Sequence, residues 1–458
     1  MGIFLLALVG IAIGCGLVLL PFPANLVILF ALALLMLTCL YPLAIILFLL
    51  GMTPFRILWL AGGISPLEFL YSMIFLWLLG FSILRLLLHP GDTPYLRGEK
   101  SIVLPLVSMA IVGIWGACIA IFRGHPFLHW ASDFNFILFF LFYFSVSVTF
   151  TGHRDIYKVF WPTLWMTAGV VIWGVVKRLT ESALFAGFTP GFPRGMAFSS
   201  SFFILSLCLF LFSEKGSVKR RGLFGVSVFF GLHQFLSFVR VAWISQIGTA
   251  GFLLMVLPIS EKRRFLRWTG VVFILVSLMF SLSWMLPMEN RFVKMPIYLM
   301  DRFMSIFTDT TGTGATMHTR YSEWKAALTQ YLQHPLLGSG LGTQIQYVRY
   351  DYKNLPPTTE RYIHSSYIYY LLNTGPLGLL VFLWFCLGSV RYGLGVYRKL
   401  PISELKGLAL GMTACFMFQI FSSIAGNELN NPSRTIWTGF FLGSLAVIER
   451  EIRQRVSP

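Results

Sequence analysis

Apolar and polar positions along this chain do not alternate; they separate into long apolar runs divided by short polar intervals, from residue 3 to residue 449. Runs of this kind fall at 3–20, 25–51, 66–88, 101–122, 133–151, 155–177, 196–213, 222–238, 241–258, 268–286, 364–389, 404–424 and 433–449. Many reach the roughly 20 residues that cross a bilayer as a helix. Lipid offers the backbone no hydrogen-bond partners, so such runs must form helices or a closed barrel, and continuous apolarity without a period of two selects helices. The run 25–51 is too long for one upright helix, and Pro42 divides it. The expected fold is therefore all-α: a polytopic membrane helix bundle of about 12–14 transmembrane helices.

The polar intervals set the orientation. "EKGSVKRRG" (214–222), "EKRRFLRW" (261–268), "RYGLGVYRKL" (391–400) and "EREIRQR" (449–455) are dense in Lys and Arg. By the positive-inside rule they face the cytoplasm. Counting helices between them puts Arg240, the interval 287–363 and the loop 425–433 on the opposite side. The N-terminal side depends on whether 25–51 is one helix or two.

An interval as long as 287–363 is expected to hold structure or function of its own. "TRYSEWKAALTQYLQHP" has helical character from Arg320 to about Gln333, after which Pro335 and the glycines of "HPLLGSGLG" end the helix and turn the chain. We expect three parts: an N-terminal transmembrane bundle (1–286), an extracytoplasmic helical loop subdomain (287–363), and C-terminal transmembrane helices with a cytoplasmic tail (364–458).

Composition agrees. Only 12% of the 458 residues are charged and 57% are hydrophobic, whereas a soluble chain carries roughly twice that charged fraction. The net charge of +17 is scattered over short loops, which suits topology and lipid headgroups rather than nucleic acid. The start, "MGIFLLALVGIAIGCGLVLL", lacks a basic n-region and a cleavage site and reads as a retained membrane helix. Six cysteines lie within apolar spans, without a CxxC pair, and are expected to be buried packing residues.

Candidate chemistry gathers outside. Arg302, Arg320, Arg349 and Arg361 lie in the long interval, Arg240 near the same face and Arg434 in the next outer turn. Guanidinium forks bind phosphate oxygens in bidentate fashion and stay charged when partly dehydrated. The competing reading is that these arginines pair with Glu323, Asp351 or Glu360, or touch lipid headgroups. Arg240 sits in the apolar "LSFVRVAWISQIG", where an ionisable residue faces a polar cavity or snorkels to the interface. His364 opens the helix after the loop, where a neutral imidazole would accept a proton from a hydroxyl. Gly375, Pro376 and Gly378 then break or kink that helix, either to shape a cleft or to let helices pack. GxxxxGK[ST], HExxH, GxSxG and clustered metal ligands are absent from the sequence, so no cofactor or metal is expected. Glu68 and Glu428 remain as possible supporting carboxylates.

The string His364, Ser365, nine residues, Gly375, two residues, Gly378 resembles the His-[Asn/Ser/Gln]-x9-Gly-x-x-Gly pattern of bacterial O-antigen ligases. "RYSEWKAALTQYLQHPLLGSGLG" resembles the Arg-x3-Trp…HPLxGxGxG segment of the O-antigen ligase and polymerase superfamily. "SFVRVAWISQIG" is similar to its Ser-x-Arg-x-x-Trp helix, except that Ser237 lies three positions before Arg240. The resemblance implies an inverting, metal-independent glycosyltransferase of the bacterial inner membrane. It would move a glycan from undecaprenyl diphosphate to an acceptor on the periplasmic side, either lipid A-core for a ligase or another glycan for a polymerase. By motif, Arg240 and Arg320 would hold the diphosphate and His364 would activate the acceptor hydroxyl. Arg361 joins them by proximity, and Arg302, Arg349 and Arg434 are further phosphate-binding candidates. Protein hydroxyls as acceptor, or a non-enzymatic flippase of lipid-linked glycan, are the remaining alternatives.

Overall fold

The computed structural model describes residues 38–53, 66–88, 100–184, 198–285, 304, 315–350 and 357–456, except positions 39, 238 and 402. The expected span 3–20, most of 25–51, Arg302, Asp351 and the Glu68 side chain lie outside the described residues. The described helices are α1 (Pro42–Met52), α2 (Pro66–Leu88), α3 (Lys100–Phe122), α4 (Phe127–Leu138), α5 (Phe142–Thr149), α6 (His153–Leu184), α7 (Phe198–Phe212) and α8 (Val218–Leu236). After these come α9 (Arg240–Val256), α10 (Ile259–Met285), α11 (Ala315–Tyr331), α12 (Ser366–Lys399), α13 (Glu404–Ser422) and α14 (Pro432–Val456). Two short strands, β1 (Ile345–Tyr347) and β2 (Thr358–Glu360), pair antiparallel with Ile345 opposite Glu360. The fold is all-α and polytopic, as the apolar runs predict.

Proline sets several helix starts, because its missing N–H falls where no intrahelical acceptor exists. α1, α2 and α14 all begin on one: Pro42, Pro66 and Pro432. Pro42 thus divides the run 25–51, as expected. Five described segments are long and apolar enough to cross a membrane: Phe69–Leu88, Lys100–Phe122, Phe127–Thr149, Ser366–Lys399 and Glu404–Ser422. α7 packs between α8 and α13, α12 lies along α3, and α14 lies along α5. Close approach rests on small residues, which let helix backbones meet where lipid supplies no hydrophobic drive. A Cβ on Gly443 of α14 would lie 2.8 Å from the Tyr143 carbonyl, and one on Gly407 of α13 would lie 2.8 Å from that of Cys208.

Side-chain contacts gather the basic stretches at one end. Lys219 pairs with Glu404 at 2.5 Å, and Lys399 and Arg453 both pair with Glu449, at 2.6 and 2.9 Å. His153 meets Glu451 at 2.7 Å, and the Arg264 guanidinium donates to the Leu211 carbonyl at 2.9 Å. The opposite end holds α11, the hairpin and the turn between α13 and α14. Cys208, Cys386 and Cys415 are buried packing residues, as expected, but Cys118 is exposed on α3. It shares that surface with Ile111, Ile114 and Trp115, so it faces outward with an apolar stripe.

Candidate active site

α11 is short, and its buried stripe is unusual in content. Thr319, Glu323 and Ala327, each one helical turn apart, are buried, while Tyr321 and Leu328 are exposed. Residues three and four apart share a helix face, so Arg320 stands beside Glu323 and donates from Nη1 to Oε2 at 2.9 Å. Glu323 is fully buried. A carboxylate without water needs donors, since desolvation alone penalises several kcal/mol. Arg320 and the His364 backbone N–H supply two, and His364 Nδ1 lies 3.1 Å from both carboxylate oxygens. Burial pushes the Glu323 carboxyl up, but the hydrogen bonds and charge of His364 and the charge of Arg320 outweigh it. The net result is a carboxyl held below its ordinary range.

His364 precedes its helix rather than opening it. α12 begins at Ser366, and Ser365 is its cap, accepting from the Ile368 N–H at 3.4 Å. The imidazole therefore answers to the carboxylate beneath it, not to the exposed N–H groups of the helix end. The residues on either side of His364 are laced to the turn after α13. The Ser366 N–H donates to the Ser423 carbonyl at 2.9 Å, Ser366 Oγ to Asn430 Oδ1 at 3.0 Å, and Asn430 Nδ2 to the Ile363 carbonyl at 3.3 Å. Trp324 Nε1 donates to the His364 carbonyl at 3.4 Å, and the Tyr362 ring meets the imidazole edge-on at 5.7 Å.

The glycines of "HPLLGSGLG" and of the His364 motif meet each other. Gly375 holds φ +71 inside α12, and a Cβ there would come within 2.5 Å of the Leu336 carbonyl. A Cβ on Gly338, at φ +76, would lie 2.5 Å from the Gly375 nitrogen. Backbone hydrogen bonds close the contact: Ser339 N–H to the Leu372 carbonyl at 2.6 Å, Gly340 N–H to that of Asn373 at 3.0 Å. The same loop reaches α3 through Leu341 N–H and the Gly116 carbonyl at 3.0 Å, and α4 through Gly342 N–H and Asp133 at 2.9 Å. Gly375 and Pro376 thus make the kink that seats the loop on the bundle.

The arginines separate into several settings. Arg240 is the first residue of α9 and half-buried. Gly248 of that helix meets the Phe421 ring at the end of α13, so Arg240 lies roughly 12 Å further out along the axis. That is the end at which Ser423 holds Ser366. Arg361 donates to the His129 carbonyl at 2.8 Å and stands 3.6 Å from buried Asp133. Arg349 lies 3.5 Å from Glu360, which also accepts from the Tyr347 hydroxyl at 2.8 Å. Arg434 pairs with Glu428, the carboxylate flagged from sequence. Arg320 and Arg349 therefore follow the acid-paired alternative that the sequence left open, whereas Arg361 and Arg434 pair with acids outside that set, Asp133 and Glu428.

Two residues escaped sequence reading in their present roles. Glu323 was visible only as a possible arginine partner; its i,i+3 spacing from Arg320 was the available signal. Asp133 lies in an apolar span and gave no signal beyond its charge.

No curated protein matches the chain. The O-antigen ligase family model matches residues 225–383, a segment that contains Arg240, Arg320, His364, the glycine loop and the kink at Gly375. This match supports placing the protein in the O-antigen ligase/polymerase superfamily, in agreement with the ordered motifs.

Proposed function

We propose that this protein transfers a glycan from undecaprenyl diphosphate to an acceptor hydroxyl on the periplasmic face of the bacterial inner membrane, as a ligase attaching polysaccharide to lipid A-core. One observation carries the reading: within the family-matched segment, Arg320 and His364 meet on one buried carboxylate, at the end opposite the basic stretches.

In this reading the acceptor oxygen attacks the anomeric carbon from the face opposite the diphosphate. The bond from that carbon to the phosphate oxygen breaks, and the leaving group keeps the electron pair. The acceptor's proton passes to Nε2 of His364. Negative charge grows on the departing diphosphate, and fixed cations stabilise it without reorganising. Arg240 and the donors of Arg320 not spent on Glu323 supply them. Arg349 and Arg361 raise the local positive potential and hold the loop through Glu360 and Asp133, and Arg434 braces the turn between α13 and α14 through Glu428; Arg302 remains a candidate for the diphosphate. No cofactor or metal enters the scheme. The polyprenyl tail would lie against the apolar outer surface of the bundle.

The test supplies purified protein with lipid-linked glycan, with and without lipid A-core. Glycan on lipid A-core is the expected product. Longer lipid-linked chains from donor alone would reassign it as a polymerase, and no transfer in either arm would overturn the reading. Retained turnover in His364→Ala, Arg240→Ala or Arg320→Ala would remove that residue from the site.

A further inference from the structure

Glu323 is fully buried, yet its hydrogen-bond partners all come from residues of the proposed site. A carboxylate serving only to hold the loop could bond backbone groups anywhere along it. Instead both oxygens face the imidazole Nδ1 of His364 at 3.1 Å, and one also holds that residue's own N–H. We infer that Glu323 is a positioning residue: it fixes the His364 ring in the Nδ1–H tautomer and turns Nε2, with its lone pair, toward the acceptor hydroxyl.

A carboxylate is an acceptor only, so a neutral imidazole facing it must carry its proton on the facing nitrogen. The proton on Nδ1 leaves Nε2 as the only ring atom able to take another. Gripping the backbone and the ring together also sets the direction of that lone pair, because the ring cannot swing without losing a bond. Arg320 shares the carboxylate through Oε2, so one side chain registers the base against a cation proposed to hold the diphosphate. Base and leaving-group site thus keep a fixed separation. The inference rests on the reading of His364 as base, but the tautomer is a separate fact with its own measurement.

The experiment labels the full-length protein with ¹⁵N-histidine and assigns His364 by loss of its signal in His364→Gln. At a pH where the ring is neutral, Nδ1 is expected to be pyrrole-like and Nε2 pyridine-like. The opposite pattern in the wild type would overturn the inference, with no variant needed. In Glu323→Gln the Nε2–H form should grow and kcat fall roughly a hundredfold or more, with donor KM little changed. Glu323→Asp should recover part of kcat. A Glu323→Gln protein that folds, keeps Nδ1–H and turns over normally would also overturn it. If instead His364→Ala stays active while the tautomer is as stated, the base assignment fails and the positioning geometry survives.

Discussion

The motif from His364 to Gly378 joins two halves, His364-Ser365 and Gly375-Pro376-Leu377-Gly378, that differ in their physics. At its start, a partly exposed ring meets a buried carboxylate, while side chains of α11 and the α13–α14 turn hold the backbone carbonyl of His364 and the hydroxyl of Ser366. Eleven residues later, Gly375 meets backbone only: the Leu336 carbonyl, Leu337 and Gly338. The first half offers a titratable atom to solvent, and the second shuts a loop onto a helix. The eleven-residue spacing between them is therefore a mechanical link. The loop that leaves α11 with Glu323 is pinned at Gly375, and this pin holds α11 where Glu323 can reach His364.

Separate effects should follow. His364→Ala is expected to have the largest: a fall of roughly 10²–10⁴ in kcat, equivalent to about 3–5 kcal/mol of barrier. The unfolding temperature should fall less severely than turnover, because Glu323 keeps Arg320 and the His364 backbone N–H as donors when the ring is removed. Gly375→Ala should show the converse. A Cβ at φ +71 and 2.5 Å from a carbonyl oxygen forces backbone apart, a destabilisation of about 2–4 kcal/mol. Thermal unfolding in detergent reads it, and any loss of turnover in the folded fraction should not exceed that of Glu323→Gln, because the pin acts on His364 only through Glu323. A stable Gly375→Ala protein that fails in catalysis would place the glycine in the cleft and break the comparison.

How much of this could be read beforehand follows from the range of each interaction. Apolar runs announce membrane helices because lipid imposes its demand on every residue of a span, and Pro42 showed where one run divides. The turn at Pro335 and the three glycines was legible too, since left-handed backbone demands a special residue type. Their partner was not: nothing near Gly338 names Gly375, and only the folded chain brings them together. The hairpin of β1 and β2 escaped because three-residue strands show no usable alternation. His364 was placed at the helix start, although Ser365 is a better cap and moves the start to Ser366. The pairing of Glu323 with His364 needed the loop to return, which no local pattern encodes.

The two halves should also part with pH. Glu323 has a folded value below its ordinary 4.5, so its contribution to stability is fully present above the unfolded value. It is lost as pH falls through the lowered folded value. Unfolding temperatures of wild type and Glu323→Gln should therefore converge as the medium is acidified below about pH 4.5. The Gly375 contact carries no titrating group, so the deficit of Gly375→Ala should stay constant over that range. A pH-independent gap for Glu323→Gln would mean that shape, not charge, is what Glu323 contributes.

The smallest effect concerns Arg349, and it separates bracing from binding. Its guanidinium is 3.5 Å from Glu360, with the two side chains 29% and 30% exposed. An exposed pair at that distance contributes about 0–1 kcal/mol. Glu360 keeps the Tyr347 hydroxyl at 2.8 Å, so Arg349→Ala leaves no orphaned carboxylate. Stability should fall by less than about 1 kcal/mol, and donor KM should rise by only a few fold if Arg349 acts through diffuse potential. A tenfold or greater rise in donor KM at unchanged stability, equivalent to about 1.4 kcal/mol or more, would mean a direct phosphate contact. The chemical half of the site would then extend from His364 through the hairpin, and the pin at Gly375 would be holding a wider cleft.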